Sequence, residues 1–179
     1  MKLVRWGDAG AERAGLVDDS GTLRDLNGVV ADWSWQTLPP QTLAQVAALD
    51  TNALPALPAE TRLGAPVFRP GKIVGCALTY GKHAAEAGLE PPEEPMFMLT
   101  AASAINGPHD PVMMPQGGTQ LDWEAELAVV FCKAGANIPI EDAMSHVAGF
   151  CVGNDVSQRD FQLERGTQWP HGKSADTRK

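Results

Sequence analysis

Short strands joined by tight turns, with a few short helices among them, are what this sequence predicts. Three observations carry that reading. Apolar residues alternate over runs of five to eight positions. Clusters of Gly, Pro, Asp and Ser separate the runs. Helical spacing appears only in brief stretches.

The elements follow in order. "MKLVRWG" alternates and reads as a strand. "AGLVDDSGTLRDL" reads as a hairpin around the turn-forming cluster Asp18-Asp19-Ser20-Gly21. "PPQTLAQVAALD" places Leu43, Val46 and Leu49 at helical spacing after a Pro pair, which predicts a short helix. "TNALPALPAETRLGAPVFRPGK" is rich in Pro, Ala and Gly and reads as a linker. A boundary near residue 65 therefore separates a small first unit, 1–65, from a second, 66–179. The second opens with "IVGCALTY", a buried strand. "GKHAAEAG" is a helical turn ending at Gly88, "LEPPEEP" an acidic loop and "NGPHDP" a turn. "TQLDWEAELAVVF", Thr119 to Phe131, reads as one strand. "IPIEDAMSHV" predicts a helix and "AGFCVGNDVS" a strand ending in a polar loop. "SQRDFQLERG" predicts a helix with Ser157 as N-cap and Asp160 three residues on. "HGKSADT" reads as a polar loop.

Composition narrows the function. The 179 residues are 44% hydrophobic, enough to bury a core, and the formal net charge is -8. That charge argues against nucleic acid and anionic membranes as partners. No apolar run is long enough to span a bilayer, and the N-terminus lacks the apolar stretch of a secretory signal. Cys76, Cys132 and Cys151 have no metal-like spacing and read as reduced core thiols of a cytoplasmic protein.

The chemistry concentrates on carboxylates. Alternate residues of a strand share a face, about 6.6 Å apart. Glu124 and Glu126 therefore project together, with Asp122, while Trp123, Ala125, Leu127 and Val129 take the other face. Two converging carboxylates without a counter-charge would protonate or bind a cation, and an all-oxygen site suits Mg²⁺, Mn²⁺ or Ca²⁺. Taken alone, the pair fits the wet face of an antiparallel strand better than a metal site. Asp155, at a strand-to-loop junction, adds a third carboxylate. His83 and Glu86 lie at i and i+3 of a helical turn, where a carboxylate orients an imidazole as a general base; an ordinary surface pair has the same spacing. Arg159 and Gln162 share a helix face after Asp155, toward a metal or toward solvent. Lys173 sits in the polar loop as an anion-binding or a solvated cation. His109 and His146 read as structural, and His171 has no supporting pattern.

In order, H-x-x-E, "DWEAELAVV", "NDVSQRDFQ" and "GKSADT" resemble the fumarylacetoacetate hydrolase family. The resemblance runs from Met1 to about Thr177. The start, "MKLVRWG…AGLVDDSGTLRDLNGVV", resembles the small N-terminal domain of many bacterial members. "FQLERGTQW" before the G-K-S motif is similar to the branch acting on 2,4-diketo-3-deoxy sugar acids, often labelled ureidoglycolate lyases. The fold this implies is α+β: a rolled, mostly antiparallel β-structure, incomplete at the C-terminus, beside a small β-rich N-terminal domain. The resemblance assigns metal ligation to Glu124, Glu126 and Asp155, with Mg²⁺ or Mn²⁺ as the cofactor. It assigns water activation to His83 and Glu86, and substrate-facing roles to Lys173, Arg159 and Gln162. It implies a hydrolase cleaving a carbon–carbon bond in a 2,4-diketo acid, acting on a small anionic 2-oxo acid as a cytoplasmic homodimer in catabolism. An isomerase or decarboxylase of the same superfamily, or an inactive fragment, are the alternatives. The chain departs from the family pattern in carrying Leu78-Thr79-Tyr80 for L-N-Y, Thr100 for a lysine near the dyad, and Pro170-His171 for an Asp-Lys pair. Past D-T the family continues with further strands and a T-G-T-P loop, so the expectation is a catalytic domain truncated after Lys179.

Overall fold

The computed structural model describes residues 1–166 and 168–176; Thr167 and the last three residues, Thr177 of the G-K-S-x-D-T motif among them, lie outside it. The alternating start forms β1, Lys2–Trp6, which pairs antiparallel with β2, Arg13–Val17. The turn cluster closes the predicted hairpin onto β3, Leu23–Asp25. Asp18 builds that turn by accepting hydrogen bonds from the backbone N–H groups of Ser20 and Thr22 and from Arg24 Nε. The helix α1, Pro40–Ala47, starts on its Pro and turns Val46 into the core.

The stretch read as a linker is tied down instead. Its Leu63–Gly64 form β4, which completes the sheet order β3-β2-β1-β4. Phe68 donates its N–H to the Trp33 carbonyl. Backbone hydrogen bonding overrides the loop-like composition because β1 would otherwise present an open edge. The core gathers Ala14, Leu16, Leu26, Trp33, Leu38 and Val46, with the Trp33 indole N–H bonded to the Gly15 carbonyl.

Beyond this sheet the described residues form three antiparallel pairs. In the first, β5, Ile73–Ala77, pairs with β6, Met96–Thr100, across α2, Gly81–Glu86. Gly88 ends that helical turn with φ +68°, a backbone that favours glycine. The strand β5 was expected to be buried, yet Val74 is exposed, and among the described residues β6 is the one strand paired with it.

The strand Thr119–Phe131 is broken. Leu121–Asp122 form β7 and Ala125–Phe131 form β8, with Trp123 and Glu124 between them. β8 pairs with β9, Val147–Asn154, in a register that sets Glu126 opposite Gly153. β7 pairs with β10, Ser157–Gln158. Ile140–His146 wind as a 3₁₀ helix rather than an α-helix. The helix after Asp155, α3, Arg159–Leu163, starts one residue later than expected, with Gln158 rather than Ser157 at its N-cap, since the β7 ladder holds Ser157. Lys173 falls in a short helix, α4, Pro170–Lys173, not in a loop. Val130, Cys132 and Ala148 pack on the N-terminal core, so the β8–β9 hairpin leans on the first sheet. The three cysteines are free and half-buried rather than fully inside. The architecture is mixed and mostly antiparallel, with a few short helices. None of the described helices is long and apolar enough to cross a membrane.

Candidate metal centre

The break between β7 and β8 builds the site. At Glu124 the chain leaves one ladder before joining the next, and Asp155 does the same on the returning segment. The two are joined there: the Asp155 N–H donates to the Glu124 carbonyl at 2.9 Å. The Asn154 side-chain oxygen accepts the Glu124 N–H at 3.1 Å. These bonds bring the Glu124 and Asp155 side chains to one side. Glu126, two residues on, shares their face. One carboxylate oxygen from each of Glu124, Glu126 and Asp155 lies within 4.8 Å of the others.

The alternation of the strand holds, but its sense is the reverse of an ordinary half-buried strand. The carboxylate face is half-buried, whereas Trp123, Leu127 and Phe131 on the other face are exposed.

Two cations close on the carboxylates. Lys173 Nζ donates to Glu124 Oε2 at 3.0 Å, to Asp155 Oδ2 at 2.7 Å and to the Ser157 hydroxyl at 2.8 Å. Arg159 grips Asp122 Oδ2 through two nitrogens, at 2.9 and 2.7 Å, and lies 2.6 Å from Glu124 Oε1. Its third nitrogen donates to Gln162 Oε1 at 2.9 Å. Lys173, only 2% exposed, reaches this position because α4 packs tightly. A Cβ on its neighbour Gly172 would stand 2.6 Å from the Gln158 carbonyl oxygen and 2.6 Å from Gln162 Cβ. Only glycine lets the helix approach so closely.

Burial opposes the charged form of Glu124, but the hydrogen bond and charge of Lys173, with Arg159, hold its carboxyl below the usual range. Burial likewise pushes the Lys173 ammonium below its ordinary value, against the pull of Glu124. The hydrogen bond from Arg159 lowers Asp122.

The residues expected from sequence divide into two groups. Glu124, Glu126, Asp155, Lys173, Arg159 and Gln162 form one hydrogen-bonded or clustered set. His83 and Glu86 stand exposed on α2, and among the described residues no hydrogen bond or ion pair joins them to each other or to that set. Their helix is nevertheless tethered to the site strand, since the Tyr80 hydroxyl accepts the Leu127 N–H at 2.8 Å.

Sequence reading missed the part Ser157 plays. It was expected to cap a helix. Instead it is fully buried and holds Lys173, while its own hydroxyl donates to the Asp155 carbonyl at 2.9 Å. Its position two residues after a candidate ligand was the available signal. Asp122, noted only for its face, proves to be the anchor of Arg159. His146 has its Nδ1 3.0 Å from the Lys133 carbonyl, and the His171 ring lies 5.3 Å from that of Phe161.

Three carboxylate oxygens, with no sulfur or imidazole among them, match the needs of a hard divalent cation such as Mg²⁺ or Mn²⁺. The fold and this donor set define a class of mixed, mostly antiparallel β proteins with an acidic site at the junction of two ladders. Residues 72–179 match the C-terminal domain of fumarylacetoacetate hydrolase, and the chain belongs to the fumarylacetoacetate hydrolase family. A Burkholderia ambifaria relative bearing the name "Putative hydrolase" is 44% identical over 177 residues, 99% of this chain and 63% of its own length. The chain thus spans about 63% of the length of the curated relatives it matches. Among solved structures, a fumarylacetoacetate hydrolase from Exiguobacterium antarcticum is similar with a TM-score of 0.76 and 29% identity, over 99% of this chain and 63% of that one. A 5-carboxymethyl-2-hydroxymuconate delta-isomerase from Mycobacterium smegmatis gives 0.70 and 26%, over 99% and 62%.

Proposed function

We propose that the full-length protein is a divalent-metal-dependent hydrolase that cleaves a carbon–carbon bond in a 2,4-diketo acid. The observation that carries this reading is the convergence of Glu124, Glu126 and Asp155 within 4.8 Å. These three would hold Mg²⁺ or Mn²⁺. When bound, the ion supplies Lewis-acid polarisation of the 2-oxo acid end of the substrate.

The rest is done by the protein's own side chains. Arg159, fixed by Asp122 and Gln162, presents a positive charge that cannot swing away. Lys173 adds a second charge, and together they offset the carboxylate of an anionic 2-oxo acid and the oxyanion that develops. In this reading an imidazole beside a carboxylate takes a proton from water, and His83 and Glu86, which share an exposed helical turn, are the pair that would do so. The water oxygen bonds to the distal carbonyl carbon, the carbon–carbon bond breaks, and the electron pair it releases is finally protonated on carbon.

A second reading has an observation in its favour. The Mycobacterium smegmatis relative is named as an isomerase, and an isomerase on the same site needs no attacking water. The test is incubation of the full-length protein and Mn²⁺ with an acylpyruvate. Pyruvate release in proportion to substrate loss supports hydrolysis. Isomerised or decarboxylated product without pyruvate replaces it with the second reading, and no turnover overturns both. Two variants separate the roles. Glu126→Ala is expected to abolish Mn²⁺ binding by calorimetry, and unchanged affinity would remove the site. His83→Ala is expected to keep Mn²⁺ affinity and lose turnover; retained turnover would strip His83 of its role.

A further inference from the structure

We infer that Asn27 is a self-modifying site. Its side-chain amide converts to aspartate and isoaspartate through attack by the Gly28 backbone nitrogen, while a second Asn-Gly pair, Asn106-Gly107, is held against the same reaction. These are the two Asn-Gly pairs of the sequence. Asn27 lies in the N-terminal unit, apart from the acidic site and independent of its chemistry.

Glycine after asparagine leaves the attacking nitrogen unshielded by a side chain and its backbone free to rotate. The Gly28 nitrogen gives its proton to hydroxide and bonds to Asn27 Cγ. The bond from Cγ to Nδ2 breaks, and ammonia leaves with a proton from water. The cyclic imide then takes up one water. Opening at the side-chain carbonyl gives aspartate, and opening at the backbone carbonyl gives isoaspartate. Local sequence does not separate the two pairs, since a bulky aliphatic residue precedes each, Leu26 and Ile105.

The tertiary structure does separate them. Asn27 and Gly28 form the exposed centre of a turn after β3, closed by the Val29 N–H on the Leu26 carbonyl at 2.9 Å. Gly28 has φ +85°, and a Cβ there would meet nothing within 4 Å. Among the described residues no hydrogen bond holds the Asn27 side-chain amide or the Gly28 N–H. Opening an exposed turn of this kind costs little. At the other pair both reacting groups are occupied. Asn106 Nδ2 donates to the Pro111 carbonyl at 3.0 Å, and the Gly107 N–H donates to Asp110 Oδ2 at 3.2 Å. Asp110 returns its own N–H to the Gly107 carbonyl at 3.1 Å and is gripped in turn by Arg62. A Cβ on Gly107 would stand 2.7 Å from the Leu63 carbonyl oxygen, so the backbone there has no room to swing. Attack at Asn106 has to release this whole set, whereas attack at Asn27 has to open one turn. Isoaspartate at 27 lengthens the backbone between Leu26 and Val30, both core residues, so the change reaches past the surface.

The test incubates the unaltered 179-residue chain in mildly alkaline buffer near body temperature, folded and in concentrated urea. Peptide mass spectrometry reads the mass gain of amide-to-acid conversion at each pair, and chromatography separates aspartate from isoaspartate. In the folded chain Asn27 is expected to convert at least about five-fold faster than Asn106. In urea, where the tertiary contacts are gone, the two rates are expected to agree within about two-fold. Asn106 converting as fast as Asn27 in the folded chain overturns the assignment, as does a folded chain in which Asn27 stays intact while it converts in urea. A ratio that persists in urea shows the difference to be local in origin and removes the protection of Asn106. Aspartate without isoaspartate at 27 overturns the attack by Gly28. No variant is needed, so no result turns on whether an altered chain folds.

Discussion

Ser157 shows how much one hydroxyl can organise. It is buried and receives the Lys173 ammonium. It donates in turn to the Asp155 carbonyl and lies 3.4 Å from Glu124 Oε1. Removing it leaves a buried ammonium short of one acceptor and a carbonyl short of one donor. A lost buried hydrogen bond of this kind costs about 1–3 kcal/mol. Ser157→Ala is accordingly expected to lower the denaturant midpoint with an unchanged slope, and a midpoint equal to the parent's would refute the bridging role. The spacing after Asp155 made Ser157 visible in the sequence, but helix-cap logic claimed it first. The pairing of Ser157 with Asp122 was decided by a partner strand 35 residues upstream, beyond the reach of local pattern.

At the scale of elements, the site depends on α4 lying close to β10 and α3. Gly172 permits that approach, since a Cβ there would meet backbone and side-chain atoms at 2.6 Å. Gly172→Ala is expected to push α4 outward and carry Lys173 away from the carboxylates. Overpacking of this sort costs about 1–3 kcal/mol. Equilibrium unfolding would show the loss, and acetylation of Lys173 should rise. An unmoved unfolding midpoint together with a still-protected Lys173 would show that the packing tolerates a methyl. Among the elements, the strands β1, β2, β3, β5 and β9 and the helix α1 were legible from alternation, turn residues and apolar spacing. The break at Trp123–Glu124 was not. Nothing in "LDWEAEL" marks it, because it arises from two ladders meeting at different partners.

Across the whole molecule, charged pairs tie the N-terminal sheet to the segment before β7. Arg62 donates to Asp110 through two nitrogens and to Glu12 Oε1 at 3.0 Å, and Arg5 bridges Glu12 and Asp32. Burial raises Glu12, but the Arg62 hydrogen bond and the Arg5 charge win, and its carboxyl lies below its ordinary value of 4.5. Arg62 also lowers Asp110, and the Ser20 and Arg24 hydrogen bonds lower Asp18. A carboxylate lowered on folding contributes stability above its unfolded value and loses it as pH falls through the folded one. The melting temperature is therefore expected to hold from pH 7 to about 5 and to fall progressively below about 4.5 as Glu12, Asp18 and Asp110 protonate. Arg62→Met should lower the melting temperature at pH 7 and flatten this acid limb, so that the two proteins converge as pH falls through the lowered folded values of Glu12 and Asp110. Parallel curves at all pH values would show that Arg62 does not set the acid response.

Residue type, short-range spacing and the family resemblance picked out the side chains proposed to carry the chemistry. Period two placed Glu124 and Glu126 on one face, the motif order pointed to Asp155, Lys173 and Arg159, and the turn clusters marked the hairpins. These are local rules, and a chain obeys them wherever its partners lie. Only the tertiary structure decided that the carboxylate face is the more buried one, that Ser157 is bonded into the carboxylate cluster, and that Lys173 is buried against Glu124 and Asp155. Those outcomes depend on which backbone hydrogen-bonds to which across tens of residues, and on how close Gly172 lets two elements come. His83 and Glu86 illustrate the same limit from the other side. Their i, i+3 spacing set them on one helical turn, and it took the fold to show that turn exposed and tethered to β8 through Tyr80 alone among the described hydrogen bonds.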